Sequence, residues 1–209
     1  MNRYDSLIFD MDGTLWDAVD SYARVWDISF ARMGIDATVS REQLVGCMGM
    51  RLSDILDTLV DPAVEIDRAR FLDILAEEEA RQMPRLGGRL YPGVADGIAA
   101  LARRYRLFMV SNCAACGISN FLAYTGLTSY IDDHISNGEN GLDKAENIRL
   151  IATRNGLTNP VYIGDTAGDA AHSHAAGVDF IHAAWGFGAV DPSAASAASF
   201  NDLVKMLTT

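Results

Sequence analysis

Residues 7–14 read Leu-Ile-Phe-Asp-Met-Asp-Gly-Thr, a short apolar run that ends in two aspartates and a glycine. Such a run, bounded by turn residues, is typical of a buried strand that passes into a tight loop. Open α/β sheets bind ligands beyond the carboxyl ends of their strands. Asp10 and Asp12 leave the strand at that end, so one carboxyl group can act as a nucleophile and the other as a proton donor.

Length and composition limit the possible classes of protein. The chain has 209 residues, of which 49% are hydrophobic, which is enough for one large domain or for a core with a smaller insert. No apolar run reaches the roughly 18 residues of a membrane span, and no secretory signal is present, so we expect a cytoplasmic protein. The net charge of −11 argues against nucleic acid and membrane surfaces as partners. An anionic substrate therefore needs a local positive group or a bound cation.

The three cysteines do not form a disulfide framework. Cys113 and Cys116 have the spacing of a redox or metal pair, but no second cysteine or histidine pair lies nearby to complete a zinc site. We interpret them as small buried residues at the start of a helix. A thiol redox protein based on Cys113 and Cys116 remains one hypothesis for the function.

The pattern changes to helices after the first strand. Apolar residues recur at helical spacing from Trp16 to Met33, and Pro62 suits the first position of a later helix. The glycines and proline of residues 87–93 indicate a hinge, after which predicted strands and helices alternate.

This alternation predicts an α/β fold, a Rossmann-like three-layer sandwich with a parallel sheet covered on both faces. The division that we expect is a core formed by residues 1–15 and 89–209. Residues 16–88 form a small all-helical cap domain inserted after the first strand, which we expect to close over the site as a lid.

Further polar residues follow other predicted strands. Since parallel strands end at one edge of the sheet, we expect these residues to meet Asp10 and Asp12 there. They are Ser111, Asn112, Lys144, Asp165 and Asp169.

This set resembles the motifs of the haloacid dehalogenase-like (HAD) hydrolase superfamily. The first motif is Asp-x-Asp-Gly-Thr at residues 10–14, and the fourth is Gly-Asp-x-x-x-Asp at residues 164–169. Ser111 takes the place of the second motif, and Lys144 that of the third. The resemblance covers the whole chain in the right order, although Lys144 is followed by alanine where many members have proline.

Within the superfamily the chain is most similar to phosphoglycolate-phosphatase-like members. The similarity lies in residues 15–18, in Tyr-Pro-Gly-Val at residues 91–94 and in Trp-Gly-Phe-Gly at residues 185–188. It implies a Mg²⁺-dependent phosphatase that hydrolyses a small phosphorylated metabolite through an aspartyl-phosphate. Asp10 would attack phosphorus, Asp12 would act as acid and base, and Lys144 would neutralise charge.

The resemblance also implies ligands for the metal and the phosphate. Asp10 and Asp165 would bind Mg²⁺ directly, Asp12 through its backbone carbonyl, and Asp169 from a second shell or through water. The phosphate group would be bound by Gly13, Thr14, Ser111 and Asn112. Arg51, which follows Gly49 and Met50 in a predicted cap loop, is a candidate contact to the leaving group.

Individual residues argue against some other activities of this superfamily. Asp12 argues against a haloacid dehalogenase, and the absence of lysine before Lys144 argues against a phosphonate hydrolase that needs a cap lysine. A sugar phosphomutase and a catalytically silent binding module on the same fold remain as alternatives.

Overall fold

The computed structural model describes residues 3–61 and 64–209. Its main sheet has six parallel strands in the order β5-β4-β1-β6-β7-β8. The strands are β1 (Ser6–Phe9), β4 (Arg106–Ser111), β5 (Asp133–Ser136), β6 (Pro160–Gly164), β7 (Asp179–Ala183) and β8 (Ser196–Ala197). All four residues of β1 are buried because helices cover both faces of the sheet, as the unbroken apolar run predicts. The predicted fold class is confirmed, and β8 is an additional strand that the sequence pattern did not indicate.

The helices of the core alternate with these strands. They are α5 (Val94–Leu101), α6 (Gly117–Thr125), α7 (Asn137–Asn140), α8 (Lys144–Asn155), α9 (Ala167–Ala176) and α10 (Phe200–Thr208), with a 3₁₀ turn at Thr128–Tyr130. The helical pattern after Gly93 extends to Tyr105, but α5 ends at Leu101. The hydroxyl of Tyr105, beyond this end, donates a hydrogen bond to the Leu207 carbonyl at 2.5 Å.

A helical segment lies between two short strands, β2 (Trp16–Asp17) and β3 (Arg89–Leu90), which pair antiparallel. Its helices are α1 (Val19–Arg32), α2 (Arg41–Val45), α3 (Leu52–Leu59) and α4 (Arg68–Leu86). The helix predicted from Trp16 begins at Val19, because Trp16 pairs with Leu90 instead. The helix predicted from Pro62 begins at Arg68, and Pro62 itself lies outside the described residues.

An aromatic cluster joins α1 to α4. The ring centroids of Phe30 and Phe71 lie 4.7 Å apart, and those of Trp26 and Phe71 lie 5.4 Å apart. Arg32 adds ion pairs of 2.9 Å to both Glu77 and Glu78 on α4. These contacts hold α1 and α4 together, and their buried side chains are continuous with those of the main core. Within the described residues, no helix combines the length and the apolar character that crossing a membrane requires.

Candidate active site

Three aspartates meet at the carboxyl edge of the sheet. Phe9 pairs with Ile163 in neighbouring strands, so Asp10 and Asp165 leave the sheet side by side. Asp169 follows one turn into α9. One carboxylate oxygen from each aspartate lies within 4.8 Å of the others, and all three residues are buried. The expectation that distant acidic residues converge is confirmed for these three.

Lys144 lies among these carboxylates. It is the first residue of α8, and the side chain of Asp143 caps that helix by accepting a hydrogen bond from Glu146 N. Lys144 Nζ lies 3.0 Å from Asp10 Oδ1 and 2.6 Å from Asp169 Oδ1, with the side chain only 1% exposed. Burial alone would favour the neutral amine, but the charges of Asp10 and Asp169 raise the pKa of Lys144 well above its usual range.

Asp165 is fixed by the loops around it. It accepts hydrogen bonds from the Phe187 amide at 2.8 Å and from the Thr14 hydroxyl at 3.3 Å. Two loops approach Asp165 so closely that both need glycine there. A Cβ atom at Gly13, where φ is +81°, would lie 2.2 Å from Asp165 Oδ2, and a Cβ atom at Gly186 would lie 2.3 Å from Asp165 Cβ. Burial, followed by the charge of Asp169, raises the pKa of Asp165 to about 6.

Thr14 and Gly13 are therefore already engaged within the protein. The Thr14 hydroxyl binds Asp165, and the Gly13 amide donates to the Trp16 carbonyl at 3.0 Å. Their predicted role in phosphate binding stays a prediction.

Asp169 uses both of its carboxylate oxygens. Oδ1 binds Lys144, and Oδ2 accepts hydrogen bonds from the Thr166 amide at 3.0 Å and the Thr166 hydroxyl at 2.7 Å. Burial opposes ionisation, yet Lys144 and these hydrogen bonds lower the pKa of Asp169. Asp10 differs, because burial and its two acidic neighbours raise its pKa against the opposing effect of Lys144.

The donor set fits a divalent cation. Three buried carboxylates face the single ammonium group of Lys144, so excess negative charge remains at the centre. Hard oxygen ligands of this kind suit Mg²⁺ and similar ions, whose charge would offset the excess.

Asp12 is not part of this cluster. It accepts a hydrogen bond from the Trp16 indole at 2.8 Å, and it interacts with the Tyr22 hydroxyl on α1. Burial and then the charge of Asp10 raise the pKa of Asp12 well above its usual range. A carboxyl group that keeps its proton near neutral pH is what a general acid requires.

A cavity opens beside Asp10 and Asp12. Ser111 and Asn112 line its core side, and α1 to α3 with the loops between them supply most of its opposite wall. Asn112 Nδ2 donates a hydrogen bond of 2.8 Å to the Gly49 carbonyl, which ties the sheet edge to the helical segment. The sequence did not indicate this hydrogen bond, because no local pattern pairs an asparagine side chain with a particular distant carbonyl.

Arg51 lies outside the residues that line this cavity. Its guanidinium forms an ion pair with Asp54 at 3.0 Å and is half exposed. It lines a neighbouring pocket together with Lys144 and Thr166. The predicted contact between Arg51 and a leaving group stays a prediction.

The cysteines give no support to the thiol redox hypothesis. Cys113 and Cys116 are free thiols. Burial raises the pKa of both, which disfavours the reactive thiolate form.

Glu79 on α4 also lines the cavity, and the sequence analysis did not indicate it. It is 3% exposed. One signal could have found it: Phe71, Leu75 and Glu79 follow each other at four-residue spacing, so Glu79 continues the buried stripe of the helix.

We expect the buried Glu79 to make folding stability depend on pH. Burial raises the pKa of Glu79 from 4.5 to about 7, so between these values the folded protein keeps a proton that the unfolded chain has lost. The contribution of Glu79 to the free energy of unfolding therefore falls by ~3 kcal/mol as pH rises through this window. Because glutamine does not titrate, Glu79→Gln should gain most of this amount relative to wild type between about pH 5 and about pH 8. Urea denaturation in metal-free buffer measures it.

Glu77→Gln is the matched control, since Glu77 lies on the same helix but is 64% exposed and paired with Arg32. It should show no such gain. Parallel pH profiles for wild type and Glu79→Gln would contradict the expectation.

The parallel sheet with an acidic centre at its carboxyl edge defines the class as an α/β protein with a candidate cation site. A family model described as haloacid dehalogenase-like hydrolase matches residues 7–183, and the chain belongs to this family.

Particular relatives refine this placement. The chain is 27% identical to a phosphoglycolate phosphatase of Cupriavidus necator over 97% of its length and 90% of the relative's. It is 28% identical to a phosphoglycolate phosphatase of Aliivibrio fischeri, over 89% of this chain and 86% of that one. Among solved structures, a protein described as a predicted phosphoglycolate phosphatase from Haemophilus somnus superposes with a TM-score of 0.85 at 19% identity, covering 99% of both chains. A haloacid dehalogenase-like protein from Streptococcus pneumoniae gives 0.84 at 18% identity and the same coverage.

Proposed function

We propose that the protein is a Mg²⁺-dependent phosphatase that hydrolyses a small organic phosphate monoester through an aspartyl-phosphate on Asp10. One observation carries the proposal. Asp10 belongs to the buried cluster with Asp165 and Asp169, and it also lines the cavity that Asp12 lines. A single carboxylate is thereby shared between a cation site and a space for substrate.

Asp10 would attack the phosphorus atom and release the alcohol. Asp12, whose pKa is raised by burial and by Asp10, would protonate the leaving oxygen and then take a proton from the water that hydrolyses the aspartyl-phosphate. Lys144 would hold Asp10 in position and offset charge on the transferred group. Ser111 and Asn112 line the cavity where phosphate oxygens would lie.

Asp10 and Asp165 are the best placed of the acidic residues to hold Mg²⁺ directly. Asp169 accepts three hydrogen bonds, one of them from the charged Lys144, whereas Asp165 accepts two from neutral donors, so we assign Asp169 the indirect role. When bound, the ion would neutralise the negative charge shared by the carboxylates and the phosphate.

Residues 16–88 are proposed to act as a cap that closes over the leaving group, with the paired strands β2 and β3 as its hinge. The antiparallel pairing of Trp16 with Leu90, and the aromatic contacts between α1 and α4, support this division. Closure would exclude water from the phosphorylation step.

Release of inorganic phosphate tests the proposed function. We expect the protein to hydrolyse p-nitrophenyl phosphate and several small metabolite phosphates with Mg²⁺, and to fall to background when EDTA removes the ion, because the carboxylates then repel the substrate.

Two other outcomes would replace the proposal. Isomerisation of a hexose 1-phosphate without release of phosphate would identify a phosphomutase. No turnover of any phosphate ester with any divalent metal would favour a silent binding module.

A further inference from the structure

Glu79 is an unpartnered carboxylate that lines the substrate cavity. Its neighbours on α4 are paired: Glu77 binds Arg32, and Glu78 binds Arg32 and Arg81. Within residues 3–61 and 64–209, Glu79 has no hydrogen bond and no ion pair, although it is 3% exposed. Burying a carboxylate without a partner carries a large desolvation cost. Stability of the fold therefore does not explain why Glu79 is there.

The cavity around Glu79 contains no positive group. The described residues that line it include no lysine, arginine or histidine, and its other charged groups are the carboxyl groups of Asp10 and Asp12. Arg51 of the helical segment is paired with Asp54 and lines the neighbouring pocket rather than this cavity. A leaving group that carries a carboxylate would therefore enter beside Glu79 with no cation to receive it.

The remaining walls suit a cation. Trp26 and Tyr22 present aromatic rings to the cavity, and Leu44, Met48 and Ile55 make the rest of that wall apolar. Aromatic faces attract ammonium groups, most strongly when the site excludes water. Asn112, which also lines the cavity, has a buried acceptor oxygen, Oδ1, with no partner among the described residues. Near Glu79 the cavity thus offers acceptors and aromatic side chains, and its described lining has no positively charged donor.

We propose that Glu79 selects a leaving group that carries a positively charged nitrogen, so that the substrates are phosphate monoesters of amino alcohols. This inference rests on the proposed function and names the substrate class of the same site. The phosphate would lie against Asp10, and the ammonium group would lie between Glu79 and the rings of Tyr22 and Trp26. Burial raises the pKa of Glu79 to about 7, and a cation beside it would restore its ionised form.

Four phosphate esters that differ in one group test the charge preference. The alcohol part of phosphoethanolamine and of phosphocholine carries a positive charge. That of monoethyl phosphate is uncharged, and that of phosphoglycolate carries a carboxylate. We expect kcat/KM of the wild-type protein with Mg²⁺ to be highest for a cationic ester and lowest for phosphoglycolate, with steps of about tenfold or more. The two cationic esters distinguish a primary ammonium site from a quaternary one.

The Glu79→Gln variant keeps the size of the side chain and removes its charge. We expect the ratio of its kcat/KM for the cationic ester to that for monoethyl phosphate to fall by about tenfold or more relative to wild type. Glu77→Gln, exposed on the same helix, should keep the wild-type order. A thermal melt of each variant confirms that it is folded.

Competition by free choline or ethanolamine gives a second measurement. Either amine should inhibit hydrolysis of p-nitrophenyl phosphate by the wild-type protein and should inhibit Glu79→Gln less.

The outcomes separate this inference from the proposed function. Turnover of p-nitrophenyl phosphate together with equal kcat/KM for the four esters, or a preference for phosphoglycolate, overturns the role of Glu79 and leaves the phosphatase intact. An unchanged order in Glu79→Gln also overturns it. No turnover of any ester overturns both.

Discussion

Asp10→Asn should lose phosphatase activity by about ten-thousand-fold or more, because an amide oxygen cannot form the aspartyl-phosphate. The variant should still fold. It keeps the ion pair between Lys144 and Asp169 at 2.6 Å, and it removes one of three buried carboxylates whose mutual repulsion raises the pKa of Asp10. Release of p-nitrophenolate and of inorganic phosphate measures the loss. Residual activity above about one part in a hundred would place the nucleophile elsewhere.

Asp12→Asn is the informative comparison. Without its general acid, the protein should still transfer phosphate from p-nitrophenyl phosphate, whose leaving group needs little protonation, but much less from an alkyl phosphate. The aspartyl-phosphate should then persist, because the base for its hydrolysis is also missing. A burst of p-nitrophenolate equal to the amount of protein would reveal it. Equal losses for both substrates and no burst would contradict the assigned role of Asp12.

Lys144→Met should destabilise the protein by ~3–5 kcal/mol in metal-free buffer near neutral pH. The ammonium group contacts Asp10 at 3.0 Å and Asp169 at 2.6 Å with the side chain almost fully buried. Its removal leaves buried carboxylates without a compensating charge. Added Mg²⁺ should restore part of the loss, since a ligand that binds only the folded state stabilises it. Chemical denaturation with and without Mg²⁺ measures both effects.

The chain contains one further lysine, and it provides the control. Lys205 on α10 is 76% exposed and forms a single pair of 3.2 Å with Asp202. Lys205→Met removes the same charge and should change stability by less than about 1 kcal/mol. Similar unfolding free energies for the two variants would show that Lys144 does not hold the acidic centre together.

Local sequence determined most of the catalytic edge. The apolar run of β1 and the polar residues that follow the strands predicted the parallel sheet and the meeting of Asp10 with Asp165, because strand period and strand direction are properties of short segments. Lys144 was also predicted to reach this edge, because it follows a predicted strand and takes the place of the third motif of the HAD resemblance.

Other features depend on contacts between distant segments. Trp16 has helical spacing with the residues after it, yet it forms a strand because Leu90 lies beside it. Asn112 meets Gly49, and the Phe187 amide meets Asp165, only when three separate loops gather at the sheet edge.

By itself, the sequence determined the fold class and the meeting of the acidic residues, because both follow from spacing within one segment and from the common direction of parallel strands. The resemblance to the HAD family indicated the lysine beside them. Only the tertiary structure decided what surrounds the substrate. Glu79 is one of three consecutive glutamates, and its burial without a partner follows from how α4 packs over the sheet edge, which no local pattern specifies.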